Sequence, residues 1–169
     1  MTTIVTRRLQ LKESIAGSSA IKTMITWLND PENVTYSEQR HIDHTQYSQY
    51  NYINSFKPPN QFREIHYGTD LVGTITAYVD PYNDIADMGI LIGRKYWGDG
   101  IGREAWQGLA DVLLATGVRK LEAACMSLNR GMIKIFEKSG MHEEGRKEAH
   151  FLLDKEITAD MVLWAKFSG

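Results

Sequence analysis

Apolar positions along the chain change their spacing several times, and each spacing predicts an element. Alternating or short continuous apolar runs predict strands, whereas apolar residues three and four positions apart predict helices. The predicted strands are Ile4–Leu11, Phe62–Tyr67, Leu71–Val79, Ile85–Ile92, Lys120–Met126, Arg146–Leu153 and Thr158–Phe167. The predicted helices are Gly17–Asn29, His44–Phe56, a helix from Arg103 onward and Asn129–Ser139.

These elements predict one α/β domain over residues 1–169. No repeat, low-complexity tract or linker interrupts them, and 169 residues are a comfortable length for one domain. Apolar residues make up 43% and charged residues 24% of the chain, which is ordinary for a soluble globular protein. Strands and helices of this mixture form layers around one core.

Charge and cysteine content narrow the range of partners and compartments. The formal net charge is −2 and no basic run is present, so we expect no nucleic-acid partner. No apolar stretch approaches the roughly 20 residues that span a bilayer, and residues 1–8 do not have the order of a signal peptide. Cys125 is the single cysteine and lies among apolar residues, which predicts a buried strand thiol. A cytoplasmic protein without a membrane partner is expected.

Three glycines alternate between a predicted strand and a predicted helix. Gly98, Gly100 and Gly102 would leave backbone N–H groups uncovered beside a helix N-terminus, an arrangement that binds phosphate. A P-loop requires Lys and Ser or Thr after the last glycine, but Arg103 and Glu104 stand there. A Rossmann turn fits poorly because these glycines follow an antiparallel region past the middle of the chain.

The remaining alternative is the pyrophosphate loop of acetyl-coenzyme A transferases, and here the sequence resembles the GNAT superfamily of N-acetyltransferases. Residues 100–102 supply the glycine half of the signature Arg/Gln-x-x-Gly-x-Gly/Ala, with Trp97 where Arg or Gln is usual. Residues 129–141 resemble the second signature, which runs from an asparagine to Glu-Lys-x-Gly. The run 96–100 resembles a branch that contains ribosomal-protein N-terminal and amino-sugar acetyltransferases. Further stretches similar to that branch are Thr6–Leu11, Trp27–Pro31 and Thr158–Met161.

The resemblance implies a GNAT-like fold, in which a central mixed, mostly antiparallel sheet with a splayed strand pair is flanked by helices. It implies acetyl-CoA as co-substrate, no metal, and transfer of an acetyl group to a primary amine. The expected acceptor is a small polar molecule such as a nucleotide-linked amino sugar. The alternatives are a protein N-terminus, as in the ribosomal-protein enzymes, or a non-catalytic acyl-CoA sensor. The formation of a homodimer is possible.

The predicted cofactor contacts fall into three groups. N–H groups of the glycine turn hold the diphosphate, and an N–H near Leu91 or Ile92 faces the thioester oxygen. Asn129 is a good helix N-cap, and the resemblance implies that it also touches the pantetheine arm. The predicted cofactor-binding residues are Leu91, Ile92, Trp97, Gly98, Asp99, Gly100, Ile101, Gly102, Arg103, Asn129 and Lys138.

Proton transfer needs a base and an acid. Asp87, just before the cofactor strand, is the predicted catalytic base, acting directly or through water, and Glu148 and His150 are weaker alternatives. At the two positions where the family usually carries the acid, this chain has Phe136 and Met132, which we predict to be core residues.

The tyrosine-rich segment Tyr36–Phe56 offers a substitute acid. It is predicted either to cover the acceptor side of the site or to be a solvated connector. A tyrosine between Tyr36 and Tyr52, or water, would then supply the proton to the leaving thiolate.

Overall fold

The computed structural model describes residues 2–169 as one mixed sheet with helices packed against it. The strands are β1 Ile4–Val5, β2 Leu9–Glu13, β3 Gln61–Tyr67, β4 Asp70–Asp80, β5 Ile85–Ile92, β6 Lys120–Met126, β7 His142–Asp154 and β8 Ile157–Phe167. The helices are α1 Ala20–Leu28, α2 Gln46–Ser55, α3 Ile101–Ala115 and α4 Arg130–Lys138, with 3₁₀ turns at Glu38–His41 and Arg94–Tyr96.

The strand order is β1-β2-β3-β4-β5-β6-β8-β7, and every neighbouring pair is antiparallel except β5 and β6. The parallel pair is joined over only three positions, Ile85–Asp87 against Lys120–Glu122. Beyond them β5 follows β4 to Ile92, while β6 follows β8 to Met126. The two strands therefore diverge, and the predicted mixed sheet with a splayed pair is confirmed.

The divergence leaves a gap between β5 and β6. The main core packs α3 and α4 against the sheet beside this gap. Trp106 of α3, Phe136 of α4 and Trp164 of β8 are buried in contact, with ring centroids 5.2 and 5.5 Å apart. A smaller core, which contains Met24 and Ile53, joins α1 and α2 to the sheet. None of the helices in residues 2–169 is long and apolar enough to span a membrane.

The predicted strand Ile4–Leu11 is wrong, because a tight hairpin divides it into β1 and β2. The Thr6 N–H donates to the Leu9 carbonyl at 2.9 Å, and the Leu9 N–H donates to the Thr6 hydroxyl at 3.1 Å. Alternation alone predicts one strand here, because Arg7 and Arg8 fit the polar face of a strand, but a threonine side chain that accepts from a nearby N–H favours a turn.

Other predicted boundaries shift as well: α1 begins at Ala20 rather than Gly17, and α2 begins at Gln46 rather than His44. Helix α3 begins at Ile101 rather than Arg103, because Gly100 ends the loop in a left-handed conformation. Strand β7 begins at His142 rather than Arg146, and its register against β8 slips several times, including between Lys147 and Phe151. Such slips break the alternation from which strands are predicted.

Candidate active site

The gap between β5 and β6 opens into a cleft of about 250 Å³, which we call the inner cleft. Side chains and backbone from β5, β6, α4, β7, β8 and the 3₁₀ turn near residue 38 surround it. The lining residues are Tyr36, Ser37, Glu38, Met88, Gly89, Ile90, Ala124, Cys125, Met126, Asn129, Met132, Phe136, Phe151 and Met161.

Backbone alternation decides which N–H groups of β5 face the gap. The N–H of Gly93 donates to the Val72 carbonyl at 2.9 Å, and the β4–β5 register continues unbroken from there. In an antiparallel pair, alternate residues direct both polar groups to the same partner, so Leu91 faces β4. Ile90 and Ile92 therefore present their N–H groups to the gap. Of the two predicted donors to the thioester oxygen, Leu91 therefore directs its N–H to β4 and Ile92 directs its N–H to the gap, and a contact with a thioester stays a prediction.

Trp97 connects the end of β5 to the glycine loop. Its indole N–H donates to the carbonyl of Ile92 at 2.9 Å, while about half of the side chain stays exposed. The gap-facing carbonyl at this position is therefore satisfied by the tryptophan. The indole anchors the loop, a role that the sequence could not reveal.

The glycine loop presents open backbone at the start of α3. Gly98 and Gly100 have positive φ angles of 90° and 74°, and no atom lies within 4 Å of a Cβ built at Gly98. The N–H groups of residues 101–103 occupy the first turn of α3, where no helical carbonyl precedes them. This geometry suits an anion. Gly102 is required for packing and not for an open backbone. A Cβ there would lie 3.0 Å from the Ile135 side chain, so the glycine permits α3 and α4 to approach.

Arg8 lies against the glycine loop, a position that the sequence did not predict. Its guanidinium donates to the Asp99 carbonyl at 3.0 Å and to Glu104 at 2.6 Å, and it reaches within 3.6 Å of a Cβ built at Gly100. Glu104 also accepts from the hydroxyl of Thr6 at 2.7 Å. The β1–β2 hairpin thus places a cation beside the loop. The resemblance of Thr6–Leu11 to one family branch was the available signal.

Glu104→Gln is expected to lower stability by about 1 kcal/mol, because the amide forms weaker hydrogen bonds with Thr6 and Arg8. Desolvation alone would raise the pKa of Glu104, but these hydrogen bonds outweigh it and hold the pKa below its ordinary value. The stabilisation is therefore present above an ordinary glutamate pKa of about 4.3 and is lost as the pH falls through the lowered pKa. Thermal unfolding of both proteins from neutral to acidic pH should show the difference in Tm shrink. A constant difference would contradict this.

Asn129 is the N-cap of α4, as predicted. Its side-chain oxygen accepts from the Met132 N–H at 3.2 Å, and the residue lines the inner cleft. Lys138 lies exposed in the last turn of α4, about one turn beyond the Ile135 contact with the loop glycine. The further roles of Asn129 and Lys138 in cofactor binding stay predictions.

Asp87 is the last β5 residue paired with β6, at the closed end of the gap. Its side chain is exposed and is not among the lining residues of the inner cleft in the described chain, although Met88 and Gly89 are. Desolvation by surrounding protein, and then the charge of Glu122, raise the pKa of Asp87. Its catalytic role stays a prediction. Glu148 and His150 are exposed on β7 and line neither cleft described in residues 2–169.

Two predicted core residues and the cysteine also face the inner cleft. Phe136 is fully buried, as predicted, and Met132 is partly buried against the same core. Cys125 is a buried strand thiol, as predicted, and burial raises its pKa to about 11. The thiol therefore stays protonated near neutral pH and is a poor nucleophile.

A second cavity of about 760 Å³, the outer cleft, shares the lining residue Tyr36 with the inner cleft. The outer cleft is lined by Leu28, Asn29, Pro31, Val34, Thr35, Tyr36, Arg40, His41, Ile42, Asp43, Leu128, Leu153, Asp154 and Ile157. Among the described tyrosines between positions 36 and 52, Tyr36 is the one that lines the clefts. Tyr47 is exposed and Tyr52 packs against Phe56 and Phe62, so most of the tyrosine-rich segment does not face the site.

A family model described as acetyltransferase (GNAT) domain matches residues 15–142. The chain belongs to the GNAT acetyltransferase family. This membership confirms the predicted acyltransferase class. No curated protein sequence matches the chain.

Solved structures share the GNAT fold at low sequence identity. The ribosomal L7/L12 alpha-N-protein acetyltransferase RimL, in complex with coenzyme A, has a TM-score of 0.87 at 15% identity, covering 98% of each chain. The microcin C7 self-immunity acetyltransferase MccE, in complex with acetyl-CoA and AMP, has a TM-score of 0.81 at 16% identity over 95% of this chain and 93% of its own. A spermidine N-acetyltransferase SpeG chimera from Vibrio cholerae and hSSAT has a TM-score of 0.82 at 13% identity over 95% and 96%.

Proposed function

We propose that this chain transfers the acetyl group of acetyl-CoA to a primary amine, with both substrates bound together in the two clefts. The proposal rests on three neighbouring features. They are the open glycine loop at residues 98–103, the edge of β5 that is not paired with β6, and the inner cleft. Together they offer an anion site, a row of backbone hydrogen-bonding groups and an apolar chamber. RimL and MccE, which have the same fold, are described with coenzyme A or acetyl-CoA.

The residues present fit such a co-substrate. The N–H groups of residues 101–103, with Arg8 beside them, would hold the diphosphate. The gap-facing groups of Met88 and Ile90 would pair with the pantetheine arm as an added strand would. When bound, acetyl-CoA supplies a thioester carbonyl, and an N–H aimed at its oxygen polarises it. Ile90 and Ile92 are the proposed donors.

The reaction also requires proton transfer. We keep Asp87 as the proposed base for the attacking nitrogen, because its position at the end of the gap and its raised pKa suit that role. Tyr36 is the proposed donor to the leaving thiolate, since its residue lines both clefts.

The outer cleft is proposed to receive the acceptor. Ile42, Leu128 and Ile157 give it an exposed apolar wall, and Tyr36 is the one tyrosine among its lining residues in the described chain. This favours the terminal amine of a peptide, the acceptor class in the name of RimL. A nucleotide-linked amino sugar is the second candidate, because the guanidinium of Arg40 also lines this cleft and could bind a phosphate.

Thioester consumption measured with a panel of amines tests the activity. Acetylation of an N-terminal peptide amine or of an amino-sugar nucleotide is expected, and the preferred acceptor decides between the two classes. Binding of coenzyme A without turnover of any amine would instead support a non-catalytic acyl-CoA sensor.

Coenzyme A should also stabilise the fold by mass action. At about one hundred times its Kd, a ligand that binds only the native state adds about 2.7 kcal/mol. Thermal denaturation with and without coenzyme A is expected to show a Tm increase that grows with concentration. An unchanged Tm at high concentration would contradict cofactor binding.

A further inference from the structure

Strand β7 contains a large bulge opposite Asp160 of β8. The pairs that flank the bulge are Lys147 with Met161 and Phe151 with Ala159. Residues 148–150 therefore lie opposite a single residue, so β7 carries two more residues than β8 at this point. Bulges occur frequently beside active sites, where they redirect a side chain.

The bulge decides which side chain of β7 reaches the inner cleft. Phe151 lines that cleft together with Met161 of β8. In an unbroken antiparallel ladder, Ala149 would stand opposite Ala159, and Phe151 would lie two residues, about 6.7 Å, farther along the strand. Loss of the bulge would therefore exchange an aromatic ring for a methyl group at this wall of the cleft.

Asp160 holds the bulge in place. One of its carboxylate oxygens accepts from the N–H of Ala149 at 2.8 Å, and the other accepts from the Arg146 guanidinium at 2.9 Å. Ala149 has a φ of 46°, a conformation that is unfavourable for alanine, so the bulge depends on such a contact. The main chain of Asp160 is itself fixed, because its N–H donates to the Ser127 hydroxyl at 3.0 Å and its carbonyl accepts from the Ser127 N–H at 2.9 Å.

Phe151 stands on the side of the inner cleft away from the cofactor edge. In the order β5-β6-β8-β7, β7 is the strand of this half of the sheet that lies farthest from β5. The next residues of β7 belong to the outer cleft: Leu153 and Asp154 line it, and the Leu152 carbonyl accepts from Arg40 at 3.2 Å. An acceptor that lies in the outer cleft and extends its nitrogen into the inner cleft would therefore contact the Phe151 ring.

We propose that Phe151 is a specificity-determining residue that packs against the group beside the acceptor nitrogen, and that Asp160 is a positioning residue that places this ring through the bulge. The ring limits the space next to the amine, so a compact neighbouring group fits and a bulky one clashes. The inference rests on the proposed function and adds to it the feature of the acceptor that the site selects.

The test compares kcat/KM for two tetrapeptide amines, one that begins with glycine and one that begins with tryptophan. Phe151→Ala should raise the tryptophan-to-glycine ratio of kcat/KM by about tenfold or more, the usual scale of discrimination by pocket size. Asp160→Ala should raise the ratio similarly, because the bulge is lost and the ring leaves the cleft. The double variant should show no further change, since both substitutions act on the same ring. Asp160→Asn keeps an oxygen for the Ala149 N–H and should change the ratio little.

Asp70→Ala, an exposed change at the start of β4, is the matched control. All variants should bind coenzyme A with unchanged Kd, which also shows that they fold. A crystal structure of Asp160→Ala supplies a readout that does not depend on activity: Ala149 should stand opposite Ala159, with the Phe151 ring outside the inner cleft.

Additive changes in the double variant, or an intact bulge in Asp160→Ala, would overturn the inference, because Asp160 would then not act through Phe151. An unchanged ratio in Phe151→Ala would overturn it as well. Weaker binding of coenzyme A by Asp160→Ala would do the same, since it would indicate a role on the cofactor side through Ser127. If the unmodified protein acetylates neither peptide, the proposed acceptor fails and the role of Phe151 fails with it, whereas the register of β7 in the crystal structure still decides the role of Asp160.

Discussion

Gly100→Val is expected to abolish measurable binding of coenzyme A while the chain remains folded. Gly100 has a φ of 74° and is the N-cap of α3, so a β-branched residue forces the loop out of this conformation. The nearest atom to a built Cβ is an Arg8 nitrogen at 3.6 Å, which leaves room for the side chain within the fold. The branch would, however, occupy the space from which the N–H groups are open to a diphosphate. The expected cost to stability is about 1–2 kcal/mol.

Isothermal titration with coenzyme A measures this effect. Gly117→Val is the matched control, because Gly117 also has a positive φ, 109°, and lies in open space in the turn between α3 and β6. The control should lose similar stability and keep its affinity. Unchanged affinity in Gly100→Val would remove the phosphate-binding role of the loop.

Asp87→Asn is expected to lower kcat by about 10²–10⁴-fold, the usual contribution of a general base, with little change in coenzyme A affinity. Desolvation, followed by the charge of Glu122, raises the pKa of Asp87. The acid limb of the rate profile should therefore lie above the ordinary aspartate pKa of about 3.9, with activity lost as the pH falls through the raised value. Asparagine does not titrate, so the residual kcat of Asp87→Asn should not show this loss of activity at acidic pH.

Stability gives this prediction a second signature. A raised pKa in the folded state means that the folded protein holds the proton of this carboxyl more tightly than the unfolded chain does. The resulting contribution to the free energy of unfolding is present at low pH and is lost as the pH rises through the raised pKa. Asp87→Asn should therefore have an equal or higher Tm at neutral pH despite its lower turnover. Asp70→Asn, an exposed change at the start of β4, is the control. A full rate across the pH range would exclude Asp87 as the base.

Sequence patterns located the parts of the site whose residues are close together in the chain. The β5 strand, the glycine loop and α3 occupy residues 85–115 without interruption, and apolar spacing and the loop glycines are local signals. The N-cap at Asn129 was predictable for the same reason, since its partner is the N–H of Met132. The divergence of β5 and β6 could be predicted only from the resemblance to the family, because no local pattern in the sequence shows where two strands separate.

Contacts between distant segments were not predictable in this way. Arg8 and Glu104 lie 96 positions apart, and Arg40 and Leu152 lie 112 positions apart. Neither pairing has a local signature. The register slip of β7 between Lys147 and Phe151 lies where Asp160, 11 positions away on β8, accepts from the N–H of Ala149.

A crystal structure of the protein with coenzyme A tests the central claim most directly. The diphosphate should accept hydrogen bonds from the N–H groups of residues 101–103, the pantetheine arm should follow the open edge of β5, and the sulfur should lie in the inner cleft near Ile90. Coenzyme A bound at another surface, or electron density for it nowhere on the molecule at saturating concentration, would contradict the account.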